Sequence, residues 1–119
     1  MNKKRILIVE DDLDISRTLE LYLESEGFQV LISHEGREGL QKAKQEKPDL
    51  IVLDLMLPGL PGEELCRDLR KNELNMPIIM VTAKGTDTDK VIGRVIGADC
   101  YIAKPFEFDK LIAEITRLI

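Results

Sequence analysis

Three stretches of the chain, Ile6-Leu7-Ile8-Val9, Leu50-Ile51-Val52-Leu53 and Ile78-Ile79-Met80-Val81, are unbroken apolar runs rich in β-branched residues. A strand with one wet face alternates polar and apolar positions. A continuous run signals a strand covered on both sides, as in a parallel sheet between helical layers. The spacing predicts strands over Arg5 to Val9, Gln29 to Ser33, Leu50 to Asp54, Ile78 to Thr82 and Cys100 to Ala103. Apolar residues between and after them recur at helical spacing: Ile15, Leu19, Tyr22 and Leu23; Leu40 and Ala43; Leu65 and Leu69; Val91, Ile92 and Val95; Leu111, Ile112, Ile115 and Leu118. Gly27 is placed to end the first helix and Pro48 to follow the second, with Asp12 and Asp87 as N-caps. Five successive βα units predict an α/β fold: a doubly wound, five-stranded parallel sheet with right-handed crossovers and five helices. At 119 residues the chain is expected to form one domain over 1–119.

The formal net charge of -5 opposes direct binding of a nucleic-acid backbone. Cys66, Cys100 and the single His34 have no metal-ligand spacing and read as structural. The basic start, Met1 to Arg5, precedes an apolar run of only four residues, too short for a signal peptide or a membrane span, so a cytoplasmic location is expected.

In a doubly wound sheet, ligands bind beyond the C-terminal ends of the strands, where the strand order reverses. Those ends carry Glu10, Asp11 and Asp12, then Asp54, Thr82 and Lys104. Carboxylates gathered there repel one another unless a cation intervenes, and an all-oxygen donor set suits magnesium rather than zinc. Lys104 and the Thr82 hydroxyl add what an anion with several oxygens needs, which is the pattern of a phosphoryl group beside a metal. Taken singly the residues say less. The acidic run reads equally well as a solvated helix start, Asp12 being its cap, and Thr82 as a β-branched strand end. Lys104-Pro105 could be an ordinary turn. Asp54 is the most telling, because ending a buried strand on a charge costs desolvation unless the charge is satisfied.

Four segments in order carry a family resemblance: Ile6 to Asp12, Pro48 to Gly59, Pro77 to Ala83, and Gly97 to Phe106. From Lys4 to Ile119 the chain resembles the receiver domain of two-component response regulators. The resemblance implies the flavodoxin-like strand order 2-1-3-4-5 of the chemotaxis regulator. It also implies Asp54 as phosphoacceptor, with Glu10, Asp11, Asp54 and the Met56 backbone carbonyl around Mg2+. Thr82 and Lys104 would contact the phosphoryl oxygens, Tyr101 would be the switch aromatic, and Lys104-Pro105 a cis peptide. The implied partner is a sensor histidine kinase or histidine phosphotransfer protein. Output would follow from a changed surface on the fourth helix, fifth strand and last helix, either in a stand-alone regulator or through a C-terminal output domain of a longer chain.

Two positions depart from the largest DNA-binding subgroup. Cys100 replaces its usual second Asp and Glu114 its usual Arg, which puts that subgroup's salt-bridged mode of phosphorylation-dependent homodimer in question. Two residues past the acceptor and two past Thr82 stand Met56 and Lys84, the positions that tune dephosphorylation in the family. An apolar Met56 cannot orient a water, so a long-lived phosphoryl state is expected.

The competing readings fit less well. A flavin carrier needs a phosphate-cradling loop where this chain has Glu10 to Asp14. A haloacid-dehalogenase-type phosphatase has a second acid where Met56 stands. A calcium loop from Asp12 lacks its glycine, at Arg17, and its last acid, at Leu23. The chain is thus expected to be a regulatory phosphoacceptor rather than a turnover enzyme. The alternative is a non-phosphorylated pseudo-receiver scaffold, which usually lacks an acid or the lysine.

Overall fold

In the computed structural model, residues 3–82 and 97–119 are described, Thr82 by its backbone alone. The elements run β1 (Arg5–Val9), α1 (Leu13–Ser25), β2 (Gln29–Ser33), α2 (Gly36–Glu46), β3 (Leu50–Asp54), α3 (Gly62–Lys71), β4 (Ile78–Thr82), β5 (Cys100–Ala103) and α4 (Phe108–Leu118). All five strands fall where the sequence pattern predicts them. The helix expected around Val91, Ile92 and Val95, its cap Asp87, and Lys84 lie outside the described residues, so four of the five expected helices are described.

The sheet is parallel throughout, in the order β2-β1-β3-β4-β5. The alternation of side chains along each strand divides the core in two. Leu7, Val9, Ile51, Leu53, Ile78 and Met80 meet Ala43 of α2 and Leu65, Cys66 and Leu69 of α3. Ile6, Ile8, Leu50, Val52, Ile79 and Val81 meet Leu19 and Leu23 of α1 and Leu111 and Ile115 of α4. Continuous apolar runs are therefore required, because each strand feeds a core on either side.

The helix ends follow local chemistry. Asp12 caps α1, its Oδ1 accepting from the Asp14 and Ile15 amides at 2.9 and 3.0 Å. Gly27, at φ 95°, takes the left-handed step beyond α1, where the Phe28 N–H reaches the Leu23 carbonyl at 3.1 Å. The C-terminal side of α3 is tied down by Arg70. Its guanidinium donates to the carbonyls of Leu74 (2.8 Å), Met76 (2.9 Å) and Gly97 (2.9 and 3.1 Å), and pairs with Asp99 at 3.0 Å. Asp99 also accepts from the Ile78 amide at 2.9 Å, so one ion pair joins α3 to the entrances of β4 and β5.

Candidate functional site

The strand order reverses at β1 and β3, whose neighbouring ends deliver Glu10 and Asp54 to one place. Both are nearly buried, at 4% and 6% exposure, whereas Asp11 beside them is exposed. Carboxylate oxygens of Glu10, Asp11 and Asp54 lie within 4.8 Å of one another. Lys104, just past β5, reaches across and pairs with both buried acids, its Nζ 2.7 Å from Glu10 Oε1 and 2.9 Å from Asp54 Oδ2. The Met56 amide donates to Asp54 Oδ1 at 2.9 Å and the Asp12 amide to Glu10 Oε2 at 3.2 Å.

The electrostatics show a cluster short of positive charge. Burial, with Asp54 adding to it, pushes the Glu10 carboxyl from 4.5 up to about 7. Hydrogen bonds from Lys104 and the Asp12 amide pull the other way without offsetting it. Burial alone would weaken the Lys104 ammonium, but its bonds to Glu10 and Asp54 outweigh that and raise its pKa. Among the described residues three carboxylates face one ammonium, a formal surplus of two negative charges when all three are ionised. An all-oxygen set with that surplus fits a hard divalent cation.

Of the other predicted residues, Thr82 and Met56 belong to this end of the sheet, whereas Tyr101 and Cys100 lie farther back along β5. Thr82 ends β4 in register with Ala103, the residue before Lys104. Tyr101 on β5 is half-buried against the α2–α3 side of the core. Met56 is 59% exposed on the loop after β3. Lys104-Pro105 is a cis peptide. Cys100, half-buried, donates its S–H to Glu114 Oε2 at 3.4 Å, and Arg117 holds that same oxygen at 2.6 and 2.9 Å. Sequence reasoning treated His34 as structural only. Its Nδ1 lies 3.1 Å from the Glu10 carbonyl oxygen, a contact that no spacing in the sequence signals. Beside Lys104 opens a groove of about 560 Å3, lined mainly by apolar groups that include Ile15, Leu19, Pro105, Phe106 and Phe108.

A model of the response regulator receiver domain family matches residues 6–116. The chain belongs to that family. As a receiver domain it is 50% identical over 115 residues to the uncharacterized transcriptional regulatory protein YkoG of Bacillus subtilis, covering 97% of this chain and 50% of that protein. It is 47% identical over 119 residues to the alkaline phosphatase synthesis transcriptional regulatory protein PhoP of the same organism, covering 100% of this chain and 49% of that protein. The receiver domain thus spans about half the length of these curated relatives. Among solved structures, the receiver domain of Francisella response regulator 1452 superimposes with a TM-score of 0.95 at 32% identity, over 98% of this chain and 96% of that one. Receiver domains are regulatory signalling domains of two-component systems, and the sheet order found here is the one expected of them. Among the described residues, no helix is long and apolar enough to cross a membrane.

Proposed function

We propose that this receiver domain is a phosphorylation switch in which Asp54 accepts a phosphoryl group from the phosphohistidine of a sensor kinase or phosphotransfer protein, with Mg2+ as cofactor. The observation that carries this reading is the meeting of Glu10, Asp11, Asp54 and Lys104 at the point where the strand order reverses. Glu10, Asp11, Asp54 and the Met56 carbonyl would hold the metal. When bound, Mg2+ supplies positive charge to the oxygens of the transferring phosphoryl group.

The chain's own residues do the remainder. An Asp54 carboxylate oxygen attacks phosphorus in line; the new P–O bond forms as the P–N bond to the donor imidazole breaks, and the imidazole leaves. Lys104, already 2.9 Å from Asp54, offsets charge on a phosphoryl oxygen, and the Met56 amide keeps the carboxylate oriented. Thr82 then moves to the phosphoryl and Tyr101 turns inward, biasing the face that includes β5 and α4 toward its signalling form. Water later attacks phosphorus, releasing inorganic phosphate and restoring the carboxylate. Beyond this self-phosphotransfer and hydrolysis the domain turns over no substrate.

Residues 1–119 act as one cytoplasmic receiver unit without direct nucleic-acid contact. The groove beside Lys104 offers the kinase an apolar surface next to the acceptor. The two regulators from Bacillus subtilis are about twice this length, which supports an output domain in a longer chain. A homodimer formed on phosphorylation would use Cys100 and Glu114 differently from the salt-bridged subgroup, since Arg117 already engages Glu114.

The test is intact mass after incubation with a small acyl or amido phosphate, with and without Mg2+. The expected result is a Mg2+-dependent gain of one phosphoryl group in the wild type and none in Asp54→Asn. No gain in the wild type would leave the scaffold reading standing instead.

A further inference from the structure

The loop after β3 crosses the first residue of α2. Gly36 is buried there, its N–H directed at the Pro58 carbonyl at 3.5 Å, and the Leu60 N–H turns back on that same carbonyl at 3.0 Å. A Cβ added to Gly36 would overlap the Leu60 carbonyl oxygen and stand 2.7 Å from the Leu60 Cβ and 2.8 Å from its carbonyl carbon. Two of these three atoms belong to the backbone, so they cannot swing aside as the tip of a flexible side chain can.

The far end of the loop is as tight. The Gly62 N–H donates to the Leu55 carbonyl at 3.1 Å, and a Cβ on Gly62 would stand 2.5 Å from the Asp54 carbonyl oxygen and 2.9 Å from the Leu55 Cα. Between Met56 and Leu60 run only Leu57, Pro58 and Gly59, with φ restricted at Pro58 and Gly59 set at φ 82°. The Met56 amide ties the same segment to the Asp54 carboxylate. A displacement of Leu60 therefore has three residues in which to be absorbed before it reaches Met56 and, through the Met56 amide, Asp54.

We infer that Gly36, outside the ligating set, is a positioning residue for the site: the bare backbone at the start of α2 seats the loop after β3, holding Asp54 and Met56 in place against Glu10 and Asp11. This rests on the metal-and-phosphoryl reading above. A larger residue at position 36 moves the loop, and with it two of the groups assigned to the metal.

The experiment titrates Mg2+ alone, by calorimetry, into the wild type, Gly36→Ala and Leu23→Ala, and in parallel follows phosphoryl gain against Mg2+ concentration. Leu23 is a core residue of α1 on the opposite face of the sheet, so its truncation lowers Tm without touching the loop. Gly36→Ala is expected to raise the half-saturating Mg2+ concentration by roughly tenfold, the low end of what losing support for a metal ligand costs. Leu23→Ala is expected to keep the wild-type value. A Gly36→Ala protein that binds Mg2+ as the wild type does overturns the inference. Should circular dichroism show that Gly36→Ala does not fold, Leu60→Gly opens the same contact from the loop side without a clash. It carries the same expectation, and wild-type affinity in it overturns the inference too. Wild-type protein that neither binds Mg2+ nor gains a phosphoryl sinks the underlying reading as well; wild-type protein that does both, beside unshifted variants, sinks the positioning role alone.

Discussion

Among the described residues Lys104 is the one cation in contact with both buried acids, and its loss should be felt in two ways. Lys104→Ala takes this charged partner from Glu10 and Asp54, so in chelator the variant should unfold about 1–3 kcal/mol more easily in a urea titration. It should also take up phosphoryl from a small donor much more slowly. Glu10 has a pH signature of its own. With its carboxyl raised from 4.5 to about 7, the folded state in chelator holds more protons than the unfolded state across that window. Stability should therefore fall as pH rises from about 4.5 to about 7, and Glu10→Gln should flatten that slope in urea titrations repeated at each pH. At Met56, exposed and apolar, Met56→Asn should speed loss of the acyl phosphate, followed by intact mass over time. Slower loss in the variant would refute a long-lived wild-type state. The acids and Lys104 were readable from the sequence because each stands at a strand end. That Lys104 reaches Glu10 as well as Asp54, and that His34 meets the Glu10 backbone, depends on how β1, β2, β3 and β5 sit together, which no local pattern encodes.

Among the elements, the strands were legible to the residue, because the inner strands β1, β3 and β4, covered on both faces, carry unbroken apolar runs that set the frame for the rest. Asp12, Gly27 and Pro48 marked helix ends for local reasons of capping and backbone geometry. The role of Arg70 was not legible. It lies in the basic last turn of α3, where a cation is ordinary, yet it is bound to three carbonyls and Asp99 from two separate segments. Arg70→Ala strips hydrogen bonds from Leu74, Met76 and Gly97 together, and should cost about 1–3 kcal/mol in urea unfolding. A change within the ordinary surface range of about 0.5 kcal/mol would show that water replaces the guanidinium without loss. The close approaches at Gly36 and Gly62 were hidden for a related reason: a glycine at a helix start reads as a weak cap until the chain that crosses it is known.

For the molecule as a whole, both core clusters share the same five strands, so neither can be lost while the other persists. Unfolding should be a single transition, coincident by circular dichroism and tyrosine fluorescence. If Mg2+ binds only the folded form, it should add about 2.7 kcal/mol of stability at a hundred times its Kd. The resting arrangement around Lys104 also bears on what the site answers to. A divalent cation arriving alone meets an ammonium already occupying part of the negative field, and a phosphoryl anion arriving alone meets three carboxylates. Arriving together, each removes the other's obstacle. On the reading proposed here, the domain is a coincidence detector: it holds either visitor less firmly alone than beside the other, and only the pair commits it.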